Sequence, residues 1–260
     1  MNRRERVRIG GVPIDALTLE QAIDEIERLI ADRAGGSVFT PNVDHVVLCR
    51  EDARLRAAYE ATSLSLVDGM PVLWASRLLG RPLPEKVSGS DLVLPLARHG
   101  ASRGWKFFLL GGAPGVADRA SERLQESIEG IRIVGTLAPT IDMSAPASTR
   151  APILEAVRRS AADVVFVGLG APKQELWIHE SQEALRPAVL LGIGASLDFL
   201  AGAVPRAPAW ISRSGLEWLY RLAREPRRLW KRYLVRDPAF LAILIEDLRR
   251  TRRGRARDRN

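Results

Sequence analysis

The chain has 260 residues, 46% of them hydrophobic, enough for a sizeable core, and a formal net charge of +8. That charge is uneven: residues 206–260 hold 16 Lys or Arg against 6 Asp or Glu, and residues 1–205 hold 23 against 25. The high isoelectric point therefore belongs to the C-terminal fifth and does not mark the body as a nucleic-acid binder. Cys49 is the only cysteine, which excludes an intrachain disulfide framework and fits a reducing cytoplasm, and no run approaches the ~20 apolar residues of a spanning helix.

The opening MNRRERVRIGG is charged without an apolar stretch and is not expected to act as a signal peptide. Thr18 followed by Gln21 forms a capping-box pattern that opens an amphipathic helix to Ile30. Short apolar runs then alternate with helical patterns. Strands are expected at Ser37–Thr40, Leu64–Val67, Lys106–Leu110, Ile131–Val134, Val164–Val167 and Val189–Leu191, and helices over 43–60, 70–79, 90–102, 115–128, 148–160 and 172–184. Continuous apolar strands between helices indicate parallel strands buried on both faces. The fold class is α/β, a Rossmann-like open, mainly parallel sheet with helices on both faces. After Ala201 the strand signals stop. Three helical segments follow, with Pro226 at a first-turn position and Asp237-Pro238 expected as N-cap and first residue of a last helix. The apolar face of that helix is expected to hold Leu241, Leu244, Ile245 and Leu248. The chain thus divides into an α/β catalytic domain (1–205), a helical appendage (206–250) and a basic, disordered tail (251–260).

In such a sheet, ligands bind at the carboxyl ends of the strands. The residues there are Thr40-Pro41-Asn42, Asp68-Gly69, Gly111-Gly112, Gly168–Glu175 and Gly192–Ser196. Asp68 has the position of a carboxylate that accepts a proton from a hydroxyl nucleophile, or caps the helix beginning at Met70. Asp44 and Asp198 are secondary candidates, each equally suited to a helix terminus. Thr40 and Asn42 offer a hydroxyl and an amide for a polar ligand such as a sugar. Lys173 and Gln174 open a helix, where an anion such as a diphosphate is attracted. The chain has no G-x-x-x-x-G-K-[ST] loop and no G-x-S-x-G elbow. GLGAPK and GIGASL lack the third glycine of a dinucleotide fingerprint, which argues against an NAD-dependent nucleotide-sugar enzyme. His45, His99 and His179 are scattered, and no D-x-D pair is present, so no metal and no cofactor are expected.

Together these strand-end segments resemble the WecG/TagA/CpsF family, glycosyltransferase family 26. The resemblance rests on TPNVDH at 40–45, VDGMP at 67–71, EKVSGSDL at 85–92, FFLLGG at 107–112, GLGAPKQELW at 168–177, GIGASLDFLAG at 192–202 and RAPAW at 206–210. GLEWLYRL, EPRRL and RYL continue it, so that it covers about 7–235. It implies an inverting, metal-independent transfer of an N-acetylmannosamine-type sugar from a UDP donor to polyprenyl-diphosphate-linked N-acetylglucosamine, in surface-polysaccharide or teichoic-acid synthesis. It also implies that Asp68 is the base and that Thr40 and Asn42 are essential pocket residues. Gln174 would lie near the sugar or diphosphate, and Arg221 and Arg228 would be donated by the appendage. Lys231 or Arg232 would be a third appendage cation. Lys86 keeps the charge of the family's arginine without its bidentate fork. The expected location is cytoplasmic, peripherally associated with the inner face of the cell membrane. The last helix and basic tail would touch anionic lipid, or that helix would pack on its own body or on a second subunit of a homo-oligomer. A basic nucleic-acid-binding α/β protein is the rival reading, and it leaves the polar strand ends without a role.

Overall fold

A computed structural model describes residues 5–257. It begins with an element that no apolar run announces. Arg6–Ile9 (β1) and Val12–Asp15 (β2) pair antiparallel across Gly10-Gly11, both with positive φ, a conformation that suits a two-residue hairpin loop. Asp15 is buried and fastens the hairpin to the body. Its carboxylate takes the Arg6 guanidinium at 2.9 Å and the Ser65 amide N–H at 2.8 Å.

The main sheet has six parallel strands: Gly36–Phe39 (β3), Leu64–Ser65 (β4), Lys106–Gly111 (β5), Arg132–Leu137 (β6), Val164–Gly168 (β7) and Val189–Gly192 (β8). Their order is β4-β3-β8-β7-β5-β6. The register pairs Gly111 with Gly168 and Val167 with Gly192, so the carboxyl ends share one edge. Successive residues serve opposite faces: Val165 and Val167 pack with Val46, Tyr59 and Trp177, while Val164 and Phe166 pack with Ile26, Leu96 and Phe107. Each layer is closed by helices whose apolar residues recur at helical spacing.

The helices of the body are Leu19–Ala31 (α1), Val43–Glu51 (α2), Ala53–Ala61 (α3), Met70–Leu78 (α4), Gly89–Ala101 (α5), Val116–Ser127 (α6), Ala151–Ser160 (α7), Lys173–Ser181 (α8) and Ser196–Leu200 (α9). The capping box of α1 forms as expected: the Thr18 hydroxyl accepts from Gln21 N–H, and the Gln21 side chain accepts from Thr18 N–H. The helix expected over 43–60 is two helices. Asp52 adopts an extended backbone and its Oδ1 accepts from the N–H groups of Arg54 and Leu55, so an N-cap side chain interrupts the apolar period.

The appendage contains Ala209–Arg213 (α10), Glu217–Arg224 (α11), Pro226–Trp230 (α12), a π-helical turn Lys231–Arg236, and Ala239–Arg257 (α13). Pro226 opens α12 as expected. Asp237 does not act as the expected N-cap. Its backbone is helical, with φ −60° and ψ −29°, and its Oδ1 is buried without a partner. Helix α13 runs through 251–257, where a disordered tail is expected; 258–260 lie outside the described residues. Its inward face also differs. Phe240 and Ile243 are buried in the body's core, Leu244 and Leu248 pack partly against it, and Leu241 and Ile245 stay exposed.

Candidate functional site

A cavity of about 400 Å³ opens where the appendage crosses the carboxyl edge of the sheet, a volume within the range of small-ligand sites. The body contributes Asn42, Asp68, Gly69, Met70 and Lys86, and the appendage contributes Glu217, Trp218, Arg221, Arg232, Tyr233 and Asp237.

Asp68 sits just beyond β4, held by its backbone. Asp68 N–H donates to the Pro41 carbonyl at 2.9 Å, and Val87 N–H to the Val67 carbonyl at 2.8 Å. These bonds place the β3, β4 and α5 approaches side by side. Asp68 does not cap α4, whose N-cap is Gly69 without a side-chain bond, so its carboxylate is left to the cavity. Burial pushes that carboxyl above the ordinary value; Lys86 opposes the shift, and the negative charges of Glu217 and Asp91 add to it. A base so poised accepts protons more readily than a solvated carboxylate. Lys86 is ion-paired to Asp91 and donates to Ser88 Oγ. Asp91 also receives Arg206.

The appendage reaches the body through Arg232. Its Nη2 donates to Asn42 Oδ1 at 3.1 Å, and its Nε lies 3.3 Å from Asp44 Oδ2. Arg236 approaches Asp44 Oδ1 at 3.0 Å. Asp44, in the first turn of α2, is buried and thus holds two arginines of the π-helical turn. Neither the Arg232 Nε nor the Asp44 Oδ1 contact is aligned as a hydrogen bond. Of Lys231 and Arg232, the two residues left open as a third cation, Arg232 lines the cavity. Lys231 is exposed, its Nζ 5.7 Å from the Trp230 ring centre. Asp237 faces the same cluster. Burial raises its carboxyl to about 6, with Arg232 opposing and Asp44 reinforcing.

The remaining strand-end residues stand outside the cavity lining. Thr40 Oγ1 donates to the Gly192 carbonyl at 3.4 Å. Gly111 has φ +116°, and a Cβ there would lie 2.4 Å from the Gly168 carbonyl oxygen, so glycine is required where β5 and β7 end together. Gly112 turns the chain beside Val116. Lys173 is exposed at the start of α8. Gln174 is buried: its Nε2 donates to Glu175 Oε1 at 2.7 Å and its Oε1 accepts Gly194 N–H at 2.8 Å. Arg228 is exposed and paired with Glu225, and with Arg221 it holds down the Asp198 carboxyl that burial raises. Among the described residues no three His, Cys, Asp or Glu side chains form a metal-ligating group.

Sequence reasoning missed Glu217, Asp237 and Tyr233 as cavity residues, and the hold of Asp44 on Arg232 and Arg236. GLEW and the run of arginines carried the only signal, and they did not show which side of each helix faces inward.

A family model described as the glycosyl transferase WecG/TagA/CpsF family matches residues 7–254. Among curated relatives, one from Bacillus spizizenii is 30% identical over 227 residues, covering 87% of this chain and 86% of that one. One from Bacillus subtilis is 30% identical over 240 residues, covering 92% and 91%, and one from Staphylococcus aureus strain MW2 is 27% identical over 252 residues, covering 96% of both. All three bear the name N-acetylglucosaminyldiphosphoundecaprenol N-acetyl-beta-D-mannosaminyltransferase.

Proposed function

The chain belongs to the WecG/TagA/CpsF family of glycosyltransferases, and from that premise we propose that it moves an N-acetylmannosamine-type sugar from a UDP donor to N-acetylglucosamine on a polyprenyl diphosphate. The observation that carries this reading is the shared cavity: a raised carboxylate, Asp68, and an amide, Asn42, on the body face Arg221 and Arg232 from the appendage. The acceptor hydroxyl oxygen attacks the anomeric carbon while its proton passes to Asp68. The bond from that carbon to the diphosphate oxygen breaks on the opposite face, inverting the centre, and the electron pair leaves with UDP. Arg221, Arg232 and Lys86 take up the charge growing on the diphosphate, which is the part a divalent metal plays in other glycosyltransferases. Thr40 and Gln174 would act by shaping the β3 and β8 ends, and Arg228 by its field across Asp198.

A panel of UDP-sugars assayed with a synthetic lipid-linked N-acetylglucosamine acceptor tests this, with and without EDTA. UDP-N-acetylmannosamine should be the best donor, EDTA should not lower the rate, and Asp68→Asn should cut kcat by about 10²–10⁴-fold. Transfer by Asp68→Asn at the wild-type rate would remove Asp68 as the base.

The acceptor's lipid is consistent with peripheral membrane association. No helix among the described residues is long and apolar enough to cross a membrane. Apolar side chains instead rim the cavity. Trp218 and Leu241 line it and are exposed. Trp74 is exposed beside Gly215, where a Cβ would lie 2.5 Å from its ring. Trp210, 69% exposed, lies nearby in sequence on α10. This rim, more than the inward face of α13, is the surface we assign to lipid, with the arginines of α12 and α13 favouring anionic headgroups at about 1 kcal/mol each near the surface. Co-sedimentation with anionic vesicles should weaken in Trp74→Ser/Trp210→Ser; undiminished binding would move the membrane face elsewhere.

A further inference from the structure

Beneath Asn42 lies a pair of titratable side chains that no step above uses. His45, in the first turn of α2, is buried, and its Nε2 is 3.4 Å from Oε1 of Glu175 in α8. On the other side of the ring, Nδ1 is 2.9 Å from Asn42 Oδ1 and accepts the Asn42 backbone N–H at 3.3 Å. The ring is further fixed by Tyr59, packed edge-on at 6.1 Å between centroids.

Glu175 is 1% exposed. Its Oε1 is engaged by Gln174 and faces His45, and its Oε2 is buried with no partner. An ionised carboxylate with one orphaned oxygen is costly to bury. Packing alone gives no reason for it, since an apolar or neutral residue would fill the same space at less cost. Burial pushes the Glu175 carboxyl up, but the facing His45 ring and the hydrogen bonds around it outweigh that and hold it below the usual carboxylate range.

Asn42 Oδ1 has three nitrogen neighbours: Asp44 N–H at 3.1 Å, Arg232 Nη2 at 3.1 Å and His45 Nδ1 at 2.9 Å. Arg232 and the backbone N–H can only donate, which assigns the oxygen to this side and turns the Asn42 NH₂ group away from them. Glu175 takes the hydrogen on Nε2. Nδ1 in turn accepts the Asn42 backbone N–H and lies against Asn42 Oδ1, so the ring holds both the backbone and the carboxamide of Asn42 in place.

We propose that His45 and Glu175 are positioning residues that fix the Asn42 carboxamide, with its oxygen toward Arg232 and its NH₂ toward the cavity, so that body and appendage meet the substrate in register. Glu175 thereby links Asn42 to the β8 end as well, through Gln174 and the Gly194 N–H. The proposal rests on the transferase reading for its kinetics and on geometry alone for its structure.

The test is a double-mutant cycle of His45→Ala and Asn42→Ala, with Glu175→Gln and His45→Asn alongside, assayed with UDP-N-acetylmannosamine and lipid-linked N-acetylglucosamine. His45→Ala and Glu175→Gln should each lower kcat/KM by about tenfold to a hundredfold, the effect of a displaced contact group. In the Asn42→Ala background His45→Ala should cost less than about twofold more, because its effect passes through the missing amide. His45→Asn, which keeps a polar group near the Nδ1 position, should retain most of the activity, and it carries the test if Glu175→Gln does not fold. Losses that multiply with Asn42→Ala, or a His45→Asn variant as slow as His45→Ala, overturn the proposal. A crystal structure of His45→Ala should show the Asn42 carboxamide rotated away from Arg232, and an unchanged carboxamide overturns it too. If the wild-type protein moves no sugar from this donor, the functional reading fails, and the crystal structure alone decides the positioning pair.

Discussion

In the sheet, Val164, Val165, Phe166 and Val167 all have 0% of their surface exposed; α11, which supplies Arg221, buries no residue at all. The body is closed on both faces by apolar layers. The appendage leaves Trp210, Leu219, Trp230, Leu234 and Val235 in the open and joins the body largely through polar contacts, among them Arg206 on Asp91, Arg232 and Arg236 on Asp44 and Glu246 on Arg50, with Phe240 and Ile243 of α13 in the apolar core. Asp68 therefore sits on the part of the molecule with a closed core, and Arg221 and Arg232 on the part that buries little. Regions with little buried apolar surface are the ones that open at low free energy, so a charge-stabilising site completed by such a segment can be assembled when substrate and membrane surface are both present.

The widest separation between the two regions should appear in catalysis. Arg232→Ala removes a cation from the cavity and should lower kcat/KM by about 10²–10³-fold. Lys231→Ala, one residue earlier on the exposed side, should change it by no more than about twofold. Equal losses would erase the distinction between inward and outward cations. Next in size is the joint itself. Ile243→Ala should cost about 2–5 kcal/mol, read in urea as early detachment of the appendage while the transition of the body is retained. A single unshifted transition would mean that α13 adds nothing to the attachment. The smallest effect is a pH dependence. The folded-state value of Asp237, about 6, is above the ordinary aspartate value of about 3.9, so the folded form holds the proton through that interval. Docking stability should then fall as pH rises from about 4 to about 6 and level off above, as linkage requires. Asp237→Asn should flatten that slope, followed by the urea midpoint of the first transition across pH; an unchanged slope would assign it to another group. Arg232, Asp44, Arg236 and His45 all bear on this carboxyl, and the difference between the variant and wild type isolates its share.

The body was more legible in the sequence than the appendage, and the cause is the same difference in burial. Runs such as Val164–Val167 are uniformly apolar because both faces of the sheet are covered, and the glycines and prolines ending them lie at the ligand edge. Asp68 could be found because a buried strand delivers it there. The β1–β2 hairpin escaped because its Arg6 and Arg8 break the apolar pattern, and the interruption at Asp52 because capping is a side-chain choice inside an otherwise helical stretch. In the appendage, apolar residues lie on exposed and buried sides alike, so periodicity pointed to Leu241 and Ile245 where the packed residues are Phe240 and Ile243. Nor could spacing reveal that a π-helical turn rotates Arg232 and Arg236 onto Asp44, since the extra residue per turn leaves no mark in composition.

The contact between α13 and the hairpin joins residues made at very different times. Gly10 N–H donates to Asp247 Oδ2 at 2.6 Å across 237 positions of sequence, and a Cβ on Gly10 would meet Ile243 at 2.8 Å. On a ribosome the hairpin and the whole sheet emerge before α13 exists. Asp68 and the sheet that carries it are thus made before the segment that seats Arg232. Until then the cavity has the wall that carries Asn42, Asp68 and Lys86 and lacks the one that carries Arg221 and Arg232.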